Sequence, residues 1–265
     1  MVFINDTFLP DNQAFLHVSD LSIQRGYGVF DFFRTVNGIP LHLNDHLERF
    51  RSSAEGMRLP LNKSSEELSE IVHQLIKQSG IAEAGVRLTL TGGYSSNGYN
   101  IAEPNLVITC NPVKTATEAD FQKGYRIVTY EHQRELPHIK SINYQMAVWL
   151  QPVLVEKKVD DVLYHKNGII TEFPRSNVFI VSSDNKLATP AKNILKGITR
   201  KQILGLASKF MDIEERDIHV DELMTAKAVF LSSTTKKVMP ILEVDGKTVG
   251  TTKEITSKIY DLLAR

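Results

Sequence analysis

At 265 residues the chain exceeds the common domain size of about 100–150 residues, so a sizeable core and either two domains or one large one are expected. Lys plus Arg and Asp plus Glu stand at 31 each, and no long run of one sign occurs, which argues against a nucleic-acid or membrane surface and favours a small-molecule partner. The lone cysteine, Cys110, excludes an intramolecular disulfide framework and suits a reducing, cytoplasmic setting, where it reads as a small buried hydrophobe; no transmembrane run or signal-peptide order is present, so a soluble protein is expected.

From the N-terminus, Met1 to Pro10 alternates and turns at Asn5-Asp6, the pattern of a short hairpin. Ser22 to Val36 begins with glycines at 26 and 28, where backbone can approach something closely, and continues as an aromatic-rich strand to the turn Asn37-Gly38. Apolar residues at 43, 47, 50, 54 and 57 share one helix face, with Asn44 or Asp45 available as N-cap and Arg49 off the stripe. A second helix is expected over 65–79, then strands at 85–91 and 105–110 around the Gly/Ser/Asn-rich loop 92–100, which reads as a gate or substrate lid. The polar, unpatterned stretch near 111–123 is the best boundary between two halves. Beyond it, a strand is expected at 125–130, a helix at 146–157, and short strands at 161–165, 169–171 and 177–181 with a turn at Asn167-Gly168. This is an α+β mixture rather than a regular βαβ alternation.

Four segments carry chemistry. Lys140 stands in the mostly uncharged stretch Leu136–Tyr144; a lysine in a dry pocket is a nucleophilic amine able to form a Schiff base, although a lysine taken alone is most often a surface charge. Glu172 precedes a turn and the pair Ser176-Asn177; buried, it would need a cation, and a protonated pyridine nitrogen is one, whereas an exposed loop acid is the plainer reading. Gly197 leads into a helix with Ile198 and Thr199 in its first turn, and free amides there bind phosphate. The strand from Phe230 ends in Ser232, Ser233, Thr234 and Thr235, four hydroxyls suited to the same anion. Lysine for an aldehyde, glutamate for a ring nitrogen and two phosphate cradles together describe pyridoxal 5'-phosphate.

These segments resemble the fold-type IV, class IV pyridoxal-phosphate aminotransferases, a family of branched-chain aminotransferases, D-amino-acid aminotransferases and aminodeoxychorismate lyases. The likeness runs through Gly-Tyr-Gly-Val-Phe-Asp at 26–31, His-Leu-Glu-Arg-Phe at 46–50, Ile-Lys-Ser-Ile-Asn-Tyr at 139–144, the segments at 172–179 and 195–200, and 231–240. It implies a two-domain α+β fold with the cofactor in the interdomain cleft: a small N-terminal domain over 1–114, a linker at 115–123 and a cofactor-binding domain over 124–265. It implies Lys140 as the catalytic Schiff-base residue and proton shuttle, Tyr144 at the ring hydroxyl and Glu172 at the ring nitrogen. Arg49, Ile198, Thr199 and Thr234 would bind the phosphate, supported by Ser176, Asn177, Gly197 and Ser233, with no metal. A homodimer using amino acids and 2-oxo acids is the further implication.

Branched-chain enzymes usually carry tyrosines at the positions of Arg25 and Gly85, and both are absent, while Arg87 is kept. The Arg-x-His pair of well-known D-amino-acid enzymes is missing from 92–100. Arg25 and Arg175 remain as two forks for an α-carboxylate, which resembles a less common group of D-amino-acid aminotransferases; alternatively, Arg175 is a surface residue and Arg25 pairs with Asp20. Phe30, Arg87 and Thr235 complete the expected substrate contacts. The leading expectation is a D-amino-acid transaminase, ahead of an L-branched-chain aminotransferase and then aminodeoxychorismate lyase.

Overall fold

In the computed structural model, which describes residues 1–250 and 252–264, the asparagines expected at turns adopt left-handed backbone: Asn5 (φ 51°), Asn37 (φ 51°) and Asn167 (φ 50°) each close a hairpin. The chain divides into two compact units, one built from Met1–Lys114 with Ile139–Asn143 and the other from Thr115–His138 with Tyr144 onward. No helix among the described residues is long and apolar enough to cross a membrane.

The first unit contains β1 (Val2–Ile4), β2 (Thr7–Leu9), α1 (Leu21–Arg25), β3 (Gly28–Val36), β4 (Ile39–Pro40), α2 (Leu43–Gly56), α3 (Ser65–Ser79), β5 (Ala84–Thr91) and β6 (Leu106–Pro112). Its six strands form an antiparallel sheet in the order β2-β1-β6-β5-β3-β4. The helical stripe read from the sequence is buried throughout: Leu43, Leu47, Phe50, Ala54 and Met57 pack with Leu68, Val72 and Leu75 of α3 against Val29, Phe33, Val86, Leu88 and Ile108 of the sheet. Ser64 and Glu67 form a reciprocal capping box that fixes where α3 starts. The N-cap of α2 is His42 in left-handed backbone, with no side-chain cap, rather than Asn44 or Asp45; the helix begins two or three residues earlier, which leaves Asp45 in its first turn, where a carboxylate complements the helix dipole.

The second unit contains α4 (Glu118–Lys123), β7 (Tyr125–Glu131), α5 (Gln145–Trp149), α6 (Gln151–Lys157), β8 (Asp161–Lys166), β9 (Ile169–Ile170), β10 (Asn177–Val181), β11 (Leu187–Thr189), α7 (Ile198–Ala207), β12 (Ile213–Glu215), α8 (Glu222–Thr225), β13 (Ala228–Ser233), β14 (Lys237–Val244), β15 (Lys247–Thr248) and α9 (Glu254–Ala264). Nine strands form a mixed sheet in the order β12-β11-β10-β13-β14-β7-β8-β9, with β15 paired to β14. The polar stretch read as a linker folds as α4, because Thr117 and Asp120 make a capping box and Phe121 is buried behind it. The helix expected over 146–157 is two helices meeting at Leu150, with a proline in the first turn of α6.

Candidate active site

Lys140 belongs to the short segment Ile139–Asn143 that joins the first unit beside β3. Its carbonyl accepts from Phe30 N–H at 2.9 Å, its N–H donates to Ser53 Oγ at 3.1 Å, and Ile142 N–H donates to Gly28 carbonyl at 3.0 Å. Two glycines make room for this seam. A Cβ on Gly28 would lie 2.8 Å from the Leu90 carbonyl oxygen, and one on Gly56 would lie 2.8 Å from Ile139 Cδ1. The half-buried ammonium of Lys140 sits 4.6 Å from the centroid of the Phe30 ring. The guanidinium of Arg87, itself solvent-exposed, lies 4.3 Å from the same ring and 6.0 Å from Phe32, so an ammonium and a guanidinium both stand within cation–π distance of Phe30.

Beneath them is a buried ionic cluster. Asp31 is fully buried and accepts from Arg49 Nε and Nη2, both at 2.8 Å, and from His46 Nδ1 at 2.7 Å. Burial by itself would raise the Asp31 carboxyl, but the Arg49 charge and the hydrogen bonds from His46 and Arg49 overcome it and hold the group far below the usual carboxylate range. The two-point grip fixes the plane of the Arg49 guanidinium.

In the second unit Glu172, 5% exposed, has one oxygen, Oε1, bound by Arg134 Nε and Nη2 at 2.8 Å each, and the other, Oε2, bound by Leu195 N–H at 2.9 Å. Arg134 also donates to the Pro137 carbonyl. Asn177, at the start of β10, donates from Nδ2 to the Leu195 carbonyl at 2.8 Å. Gly197 caps α7 without any side-chain hydrogen bond, leaving the first-turn amides of Ile198 and Thr199 without a capping side chain. At the end of β13, Ser233 Oγ accepts from Lys236 N–H at 3.2 Å, and the Thr235 carbonyl accepts from Ala116 N–H at 2.9 Å. The hydroxyls of Ser176 and Ser232 are buried with no hydrogen-bond partner among the described residues.

The family model described as amino-transferase class IV matches residues 28–244. The chain is a class IV aminotransferase. It is 30% identical over 261 residues to a D-alanine aminotransferase of Staphylococcus epidermidis, covering 94% of this chain and 90% of the relative. A putative branched-chain-amino-acid aminotransferase of Methanocaldococcus jannaschii is 27% identical, covering 98% of this chain and 94% of the relative. The crystal structure of the Escherichia coli branched-chain amino acid aminotransferase shares the fold with a TM-score of 0.92 at 24% identity, over 99% of this chain and 93% of that one.

Class IV aminotransferases depend on pyridoxal 5'-phosphate, and this aminotransferase moves an amino group between an amino acid and a 2-oxo acid through it. When bound, the group supplies an aldehyde to carry nitrogen and a ring to accept electrons. The residues present fit it on two observations. A Cβ on Gly197 would fall 2.2 Å from Asn177 Oδ1, so no side chain can stand at the start of α7, as a phosphate cradle would require, and Ser176 and Ser232 offer buried hydroxyls with no partner of their own among the described residues.

Among the other residues singled out from the sequence, Tyr144 stands at the N-cap of α5, and Thr234 and Thr235 in the turn between β13 and β14. Arg25 is exposed at the end of α1 and donates to the Gln24 carbonyl at 2.9 Å. Asp20 instead caps α1 and accepts from Thr91 and Asn105. Arg175 is exposed. Loop 92–100 is tied down by its own Asn97, whose Oδ1 accepts from Ser95, Tyr99 and Asn100.

Asp31, His46 and Arg134 were not assigned roles from the sequence. A signal for the first two existed: Asp31 falls on the face of β3 that also carries Val29 and Phe33, and a charge in an apolar alternation demands a partner. Arg134 had none, lying 38 residues from Glu172 along the chain.

Burial lowers the His46 pKa more than its contact with Asp31 raises it, so the ring is neutral at pH 7 and donates Nδ1–H to the carboxylate. A histidine lowered on folding binds fewer protons than the unfolded chain below about pH 6.5, so its contribution is full above that pH and fades as pH falls. The gap in thermal midpoint between wild type and His46→Gln should therefore shrink from about pH 7.5 to about pH 5. A gap that stays constant, or widens, would rule out the lowering of the His46 pKa on folding.

Proposed function

We propose that this aminotransferase acts on D-amino acids, passing the amino group to a 2-oxo acid. The observation that carries the reading is the set of relatives named D-alanine aminotransferase, 28–30% identical over 94% of this chain. The packing around Gly85 supports it. A Cβ there would lie 2.7 Å from the Phe32 ring, which occupies the space that the tyrosine usual at this position in branched-chain enzymes would enter. In the first unit Lys140 would take the cofactor aldehyde and Arg49 a phosphate oxygen. In the second, Glu172 would meet the ring nitrogen, Tyr144 the ring hydroxyl, and Ile198, Thr199 and Thr234 the phosphate, with Ser176, Asn177, Gly197 and Ser233 in support. Arg25, Arg87 and Arg175 are the cations we assign to the substrate carboxylate, with Phe30 and Thr235 beside them.

The decisive experiment mixes loaded enzyme with D-alanine, D-glutamate or L-leucine and follows the fall of the cofactor's visible absorbance as nitrogen is transferred. Conversion by the D-substrates is expected. Conversion by L-leucine alone would replace this reading with the L-branched-chain one, and pyruvate released from aminodeoxychorismate with no transamination would replace it with the lyase.

We also propose a cytoplasmic homodimer. Phe15, Val18 and Ile23 of the first unit are 75%, 70% and 58% exposed, an apolar stretch suited to a second copy of the chain. Sedimentation at micromolar concentration giving the mass of a single chain would remove the dimer. The lone buried thiol of Cys110 accords with a reducing compartment.

A further inference from the structure

Leu195 carries no reactive group, yet its peptide is gripped on both sides. Its N–H donates to Glu172 Oε2 at 2.9 Å, and its carbonyl accepts from Asn177 Nδ2 at 2.8 Å. Both partners are deeply buried, at 5% and 6% exposure. Two residues later Gly197, in extended backbone (φ −68°, ψ 144°), turns the chain into α7. Gly197 does not need positive φ; it needs the missing side chain, since a Cβ would sit 2.2 Å from Asn177 Oδ1. Asn177 therefore holds the approach to α7 with both ends of its amide, the nitrogen on the Leu195 carbonyl and the oxygen against the bare Gly197. No side chain caps the helix, so this approach is what orients its first-turn amides.

We propose that Asn177 is the positioning residue for the phosphate end of the cofactor site, aiming the Ile198 and Thr199 amides through Leu195 and Gly197, and that Leu195 ties that end to Glu172. The inference rests on reading the start of α7 as the phosphate cradle. The physical requirement is spacing. Pyridoxal phosphate is short and stiff, so a carboxylate for its ring and amides for its phosphate must be held at one separation, and small errors of placement are costly. One peptide hydrogen-bonded to both sides does this. Only the amide of Asn177 can make both contacts, because aspartate has no N–H for the Leu195 carbonyl, and a leucine can neither donate nor lie as a flat oxygen against Gly197.

The test compares binding of pyridoxal 5'-phosphate and of pyridoxal, which has the same ring and aldehyde without the phosphate, to the cofactor-free enzyme, followed by the absorbance of the lysine adduct. Asn177→Ala is expected to weaken the phosphorylated ligand about tenfold while pyridoxal changes less than about twofold. Gly197→Ala should do the same, and Asn177→Ala with Gly197→Ala together should bind no worse than Asn177→Ala alone, because the added methyl no longer meets the amide. Asn177→Ser is measured in parallel and meets the same expectation if Asn177→Ala fails to fold. Ile198→Pro removes one first-turn N–H at a helix position that tolerates proline, after a residue already extended. If Ile198→Pro leaves the preference for the phosphorylated ligand intact, the cradle reading falls and the proposal with it. If Ile198→Pro lowers that preference but the Asn177 variants weaken both ligands equally, or the Asn177 and Gly197 effects simply add, the cradle stands and the positioning role is overturned.

Discussion

On the role proposed for Lys140, Lys140→Ala should abolish the visible absorbance of the loaded enzyme and reduce transamination by at least about a thousandfold, since the proposed nucleophile and proton carrier would both be lost. The cofactor-free protein should still fold, because the substitution leaves the backbone ties of residue 140 in place: Phe30 N–H donates to its carbonyl at 2.9 Å and its own N–H reaches Ser53 Oγ at 3.1 Å. Lys140→Arg separates the two roles of the side chain. Arginine preserves a cation over Phe30 but stays protonated, so it supplies no nucleophile. Equal loss of activity in Lys140→Ala and Lys140→Arg, with both variants folded, is the expected pattern. A Lys140 variant that still holds the cofactor covalently after borohydride reduction and denaturation, read as added mass on a peptide, would show that another lysine carries it.

Local signals made much of this fold legible before any coordinates. The α2 stripe, the bounds of α3 and the asparagine turns are set by neighbours close in sequence, and they fall where expected. What escaped was long-range. The polar run Thr115–Ala119 hides a capping box whose purpose is to bury Phe121, and the strands β11 and β12 are short pieces completed only by pairing with each other and with β10. The same division holds for the candidate site. Lys140, Glu172 and the start of α7 lie in short segments whose residue types declare their chemistry. The groups that steady them come from elsewhere in the chain: Asp31 grips Arg49 across 18 residues and Arg134 grips Glu172 across 38. A hydrogen bond of that separation leaves no periodicity to read.

The Arg134 to Glu172 pair should therefore be expensive to break. Both side chains are mostly buried, at 16% and 6% exposure, and both guanidinium contacts to the carboxylate are 2.8 Å long. Removing one partner strands a charge in a low-dielectric interior, which costs about 3 kcal/mol even after allowance for the exposed edge of the guanidinium. Arg134→Leu, measured on cofactor-free protein, should lower the thermal midpoint by roughly 6–12 °C. Glu172→Gln should cost a similar amount, since the amide can still accept from Leu195 N–H but leaves Arg134 without its counter-charge. Arg134→Lys should fall between, because an ammonium restores the charge without the pair of guanidinium N–H bonds that converge on Oε1. The joint change Arg134→Leu with Glu172→Leu removes both charges at once and should cost distinctly less than the sum of the single losses, as buried ion pairs replaced by apolar side chains generally do. Strict additivity of the two single effects would mean that the contact contributes no coupling. The stability of Glu172 would then have to come from the Leu195 amide, and Glu172→Gln would prove nearly silent.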